Sequence, residues 1–194
     1  MKEIKEKIIK WFKENADKAK ALFWLDLVTF LESSIFPVPV DPFLIIFVLL
    51  KPQKWAKFAL HLTIFSVLGA VFGYMIGIFL FDTFGEALVS FYSLEDEMKL
   101  IAHFFESTAF FTILTAAFTP IPYKVFTLSA GIFKVGIWTL VFASLIGRGA
   151  RYFLVAFIFR FFGNKYSEQI FKYFNTISLI LGILVLMYLV LQFL

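Results

Sequence analysis

Glu32, Asp41, Lys124, Arg148 and Arg151 sit inside apolar stretches of this 194-residue chain and are the side chains best suited to chemistry there. Guanidinium and ammonium groups grip phosphate oxygens, and carboxylates in a dry site can carry protons, so the set suits an anion that is held and released. Left facing lipid, at ~2.5–3.5 kcal/mol each, the five would cost roughly 12–18 kcal/mol. They must therefore pair or meet water. Arg148 and Arg151 are three positions apart and project from one helical face. A purely structural set of salt bridges is the competing reading, although buried ion pairs stabilise little on balance.

The elements that carry these charges belong in a bilayer. Hydrophobic residues make up 61% of the chain, 29 residues are Phe, and the mean hydropathy of +0.87 exceeds what a soluble core can bury. The expected fold is an all-α integral membrane protein. Residues 1–20 place Ile4, Ile8, Trp11 and Phe12 on one face among Lys and Glu, which predicts an amphipathic interfacial helix. That opening has no apolar signal core, so the first membrane segment is expected to be retained. Residues 58–81, 135–159 and 174–194 have the length and apolarity of complete spans, the last within a C-terminal unit 161–194.

Two segments break that pattern. Residues 21–50 would run about 45 Å as one helix, too long for a ~30 Å hydrocarbon core and too short for two crossings. Pro37, Pro39 and Pro42 lie in its middle, where missing amide hydrogens and restricted preceding residues mark a tip between half-helices. Residues 107–133 break likewise at Pro120 and Pro122. "FPVPVD" and "FTPIPYK" both put Pro-x-Pro after an aromatic residue, with a charge two positions on, and a Gly-containing span follows each. The chain therefore reads as two inverted repeats over 21–160, each a re-entrant hairpin plus a transmembrane helix. Lys18, Lys20, Lys51, Lys54 and Lys57 flank the first hairpin and put its ends and the N terminus in the cytoplasm. The stretch 82–106 is acidic, with Lys99 its one basic residue, and suits the outside, while Lys134 is a basic residue expected on the wrong side. Opposed hairpins imply a cavity between them, lined by the five charges.

Other residue types argue against other functions. Cys is absent, and His61 and His103 have no metal-ligand spacing, so no metal and no cofactor are expected. Both histidines read as bystanders, and Asp26 as a carboxylate at the membrane interface. Ser33, Ser34 and Ser129 have no His near them, so an enzyme is not expected. Gly69, Gly73 and Gly77 recur on one face and Gly147 and Gly149 flank Arg148, which predicts close helix packing. The basic residues border apolar segments, which suits anionic lipid and no nucleic acid.

The acid before "FPVPVDPFLI", the Gly-rich span, "FTPIPYKVFTLSAG" and "GRGARYF" together resemble the DedA superfamily, the VTT-domain or SNARE-associated membrane proteins, and most nearly its YqaA-like branch. The resemblance covers roughly residues 21–160. It implies opposed re-entrant hairpins and movement of phospholipids or polyprenyl-phosphate carriers between leaflets, by scrambling or by proton-coupled transport, in a bacterial inner membrane. Glu32 and Asp41 match the family's functional acids. The larger branch brackets its Pro motif with two Arg, whereas here Phe118 or Thr119 stands upstream and Lys124 downstream, with "GRGAR" supplying the positive charge. A scaffold that binds lipid or a partner without transporting it is the alternative. Monomer and homodimer are both left open.

Overall fold

The computed structural model describes residues 19–36, 39–85, 89–91 and 95–191, and among them there is helix and no strand. Six α-helices order these described residues: α1 (Ala19–Ser34), α2 (Asp41–Leu50), α3 (Trp55–Leu80), α4 (Glu95–Phe118), α5 (Tyr123–Ile132) and α6 (Ile137–Leu191). The amphipathic segment expected at residues 1–20 lies almost wholly outside the described residues, as does Pro37.

Proline chemistry sets the breaks. At the end of α1, the amides of Ile35 and Phe36 both turn back to the Leu31 carbonyl at 2.9 Å, just before Pro37. Helix α2 starts with Pro42 in its first turn, where an amide hydrogen would have no intrahelical acceptor. Helix α4 stops at Phe118, just before Thr119-Pro120, and α5 starts directly after Pro122. Thus α1–α2 and α4–α5 are each two helices joined at a proline-bearing break. Among the described residues, Pro52–Phe91 and Ile137–Phe162 are the two stretches long and apolar enough to cross a membrane.

Two apolar cores flank the middle of the molecule. One gathers Leu25 of α1, Leu44 and Phe47 of α2, Phe58 and Leu62 from the start of α3, and Val155 and Phe159 of α6. The other gathers Ala109, Ile113 and Ala116 of α4 with Ala130 of α5, Ala70 of α3, and Leu140 and Ala143 from the start of α6. The first helix pair therefore packs at one end of α3 and the second at the other, with α6 running past both. On its outer face α3 exposes Leu60, Ile64, Leu68, Phe72, Met75 and Phe79, a stripe at helical spacing that suits contact with lipid tails.

The opposite face of α3 carries the glycines. A Cβ on Gly69 would lie 2.4 Å from the Phe30 carbonyl oxygen of α1, and one on Gly77 2.2 Å from that of Leu128 in α5. Between them, one on Gly73 would meet Thr127 Oγ1 at 2.7 Å. One helix face thus receives both helix pairs. Gly147 approaches the Leu114 carbonyl oxygen of α4 in the same way at 2.8 Å, whereas Gly149 has only an ordinary contact with Thr63 at 3.6 Å. Because backbone faces the missing atom at Gly77, Gly77→Ala should force α3 and α5 apart at about 1–3 kcal/mol. A clear fall in the thermal midpoint of the purified protein is the expected readout, and an unchanged midpoint would refute the close contact.

Two features differ from the sequence expectations. Residues 137–159 and 174–191 of the two expected spans lie in one continuous helix of 55 residues, about 80 Å long. No proline interrupts residues 160–175, so nothing in the backbone forces a break. Lys134, expected to be out of place, forms a 2.9 Å ion pair with Asp82, and its charge is met locally.

Candidate functional site

Between the two breaks lies a cavity of about 450 Å³. Glu32 from the end of α1, Asp41 from the start of α2, Lys124 from the first turn of α5, and Arg148 and Arg151 from α6 all line it. Pro39, Pro42, Pro120 and Pro122 form part of the same wall. Residues more than a hundred positions apart in the chain are brought together here because both helix pairs break against the same stretch of α6.

The charges are arranged as two crossed links. Arg148 Nη2 donates to Glu32 Oε2 at 2.9 Å, and Arg151 Nη2 donates to Asp41. The second guanidinium arm of Arg151 donates to the Phe118 carbonyl at 2.8 Å. That carbonyl lies at the C-terminal end of α4, where positive charge is favoured, and Asp41 lies in the first turn of α2, where negative charge is favoured. Arg151 therefore joins the first helix pair to the second. Lys124 reaches across as well, with Nζ donating to the Ile35 carbonyl at 3.3 Å.

Aromatic residues hold Arg148 in place. Its guanidinium lies 4.3 Å from the centre of the Tyr123 ring, and Nη1 donates to the Tyr152 hydroxyl at 3.0 Å. Tyr123 is fixed in turn by a hydrogen bond to Ser144, and Ser33 beside Glu32 bonds to Ser66 of α3 at 2.7 Å. Two buried polar atoms in this wall have no hydrogen-bond partner among the described residues: Arg148 Nε and Thr119 Oγ1. A buried polar atom without a partner is costly, and both of these residues border the cavity. The first turn of α5, whose N-cap Pro122 gives no side-chain cap, starts next to Lys124, so positive potential is concentrated on this side.

Sequence reasoning did not single out Thr119, Tyr123 or Tyr152 as site residues. The two tyrosines carried a signal, since Tyr123 adjoins Lys124 and Tyr152 lies four positions after Arg148 on the same helix face. Asp26 and His61 need a correction. Asp26 is buried against the protein, and His61 Nδ1 lies 3.0 and 3.2 Å from its two carboxylate oxygens, linking α1 to α3 away from the cavity, so His61 is no bystander. This pair acts as a structural tie: Asp26→Ala should lower the thermal midpoint by roughly 2–4 °C, as about 1 kcal/mol does in a chain of this size. An unchanged midpoint in Asp26→Ala would refute the tie.

The VTT domain family profile matches residues 38–161, which span α2 to the apolar part of α6 and include four of the five charged residues in the cavity. The chain belongs to the VTT-domain (DedA) family. An uncharacterized protein of Haemophilus influenzae is 34% identical to it over 167 residues, covering 86% of this chain and 84% of the relative. An uncharacterized protein of Histophilus somni is 29% identical over 165 residues, covering 85% and 84%. No solved structure gives a significant match. The family and the apolar helices make this VTT-domain chain a membrane protein.

Proposed function

We propose that this VTT-domain protein moves an anionic lipid between the leaflets of the bacterial inner membrane, with its N terminus in the cytoplasm. Lys124, Arg148 and Arg151 receive the head group, and Glu32 and Asp41 govern its release. In this reading α1–α2 and α4–α5 are re-entrant hairpins that enter from opposite sides as inverted repeats, and their tips enclose the cavity at mid-membrane. The observation that carries it is the convergence of all five charges on one cavity between the two breaks, beside the unpartnered Arg148 Nε and Thr119 Oγ1.

The test is purified protein in liposomes with a leaflet-reporting anionic lipid. Protein-dependent movement is expected, and its absence in folded, inserted protein would overturn the reading. The orientation has its own test, because the chain lacks Cys. Single cysteines at Gln53 and Ser90 should label from opposite sides with an impermeant maleimide. Labelling of both from one side would eliminate the inverted arrangement.

A non-transporting lipid receptor or scaffold is the second reading, favoured by the fact that both arginines already have internal carboxylate partners. Binding of anionic lipid with no movement would select it.

A further inference from the structure

The charges of the cavity do not cancel. Three cations, Lys124, Arg148 and Arg151, face two carboxylates, Glu32 and Asp41, and the remaining lining is largely apolar, so one positive charge is left without an internal counter-charge. Uncompensated charge in such surroundings is expensive, and the occupant that restores neutrality is the one best accommodated. We infer that the cavity selects a head group bearing a single net negative charge, a phosphodiester lipid, and that the balance of carboxylates to cations sets this preference.

This inference rests on the proposed function and narrows it. A zwitterionic head group would leave the surplus positive charge unmet. A phosphomonoester with two negative charges would overshoot by one, and fits only when Glu32 or Asp41 binds a proton. Lys124 supplies the surplus: each arginine has a carboxylate partner, whereas Lys124 donates to the Ile35 carbonyl, which is neutral. The source of the phosphodiester is a lipid rather than a soluble ester, because Phe36, Val40 and Ile121 line the same space and the exposed Ile35 and Phe36 continue the apolar surface at its edge.

The test is binding to purified protein in a neutral detergent, at mildly alkaline pH, with three dioctanoyl lipids: phosphatidylglycerol, phosphatidic acid and phosphatidylcholine. Wild type should prefer phosphatidylglycerol by roughly tenfold over the other two. Glu32→Gln raises the cavity charge by one and should move the preference to phosphatidic acid. Lys124→Gln lowers it by one and should bring phosphatidylglycerol down to the level of phosphatidylcholine, while Lys124→Arg keeps the wild-type order. Lys124 is partly exposed and contacts a carbonyl, so its variants keep the test decisive if Glu32→Gln does not fold. The same order of preference in wild type and Lys124→Gln would overturn the inference and leave the proposed function standing. Glycerophosphoglycerol binding as tightly as phosphatidylglycerol would overturn the lipid source. Phosphatidylglycerol bound by wild type yet not moved in liposomes would remove translocation and keep the charge rule, and no anionic lipid bound at all would remove both.

Discussion

Arg148→Met will lower lipid movement roughly a hundredfold or more, while Arg148→Lys will keep part of it. In the proposed function, removing the guanidinium takes away charge-assisted hydrogen bonds to the head-group phosphate, each worth about 1.5–3 kcal/mol. Lysine returns the charge but not the planar fork, hence the partial activity. The complication is Glu32, which loses its partner at 2.9 Å when Met is introduced, so a loss of activity could reflect a damaged fold. The double variant Arg148→Met/Glu32→Gln resolves this, because it removes the stranded carboxylate. Its thermal midpoint should recover towards wild type and its lipid movement should not. Recovery of both would mean that Arg148 only ties α6 to α1.

The second large effect concerns energy coupling. A passive groove has no need of titrating groups, so a proton gradient would leave its rate unchanged. In this protein each acid holds an arginine: Glu32 holds Arg148, and Asp41 holds Arg151, whose other arm grips the end of α4. Protonation of Asp41 would weaken its hold on Arg151, the residue that links the two helix pairs, and so would favour their separation. A gradient should therefore speed wild-type movement severalfold, and at least one of Glu32→Gln and Asp41→Asn should lose that acceleration while still binding lipid. Equal wild-type rates with and without a gradient, matched by both variants, would leave a passive scramblase.

The five charged residues were legible in the sequence because lipid makes charge rare, so each one in an apolar stretch stands out. The breaks were legible because Pro acts on its own backbone and on the residue before it. Pairing was not. That Arg148 meets Glu32 and Arg151 meets Asp41 depends on how α6 is rotated against α1 and α2, and interhelical register leaves no local trace. Asp26 and His61 escaped for the same reason, being 35 positions apart on two helices. Tyr123 and Tyr152 were hidden among seven Tyr and 29 Phe, most of which a membrane protein can use to face lipid. The single long α6 was missed because apolarity marks where a helix enters and leaves hydrocarbon, not where its hydrogen bonds end.

The glycine face of α3 bears on how any rearrangement would proceed. At Gly69 and Gly77 the neighbouring helices rest carbonyl oxygens where side chains would otherwise stand. Such a surface lets the backbones lie close, and the Ser33–Ser66 and Asp26–His61 links hold α1 against α3, so a displacement of α3 is passed on to its neighbours. Both ride the same track, and a shift of one is felt as a change in the footing of the other.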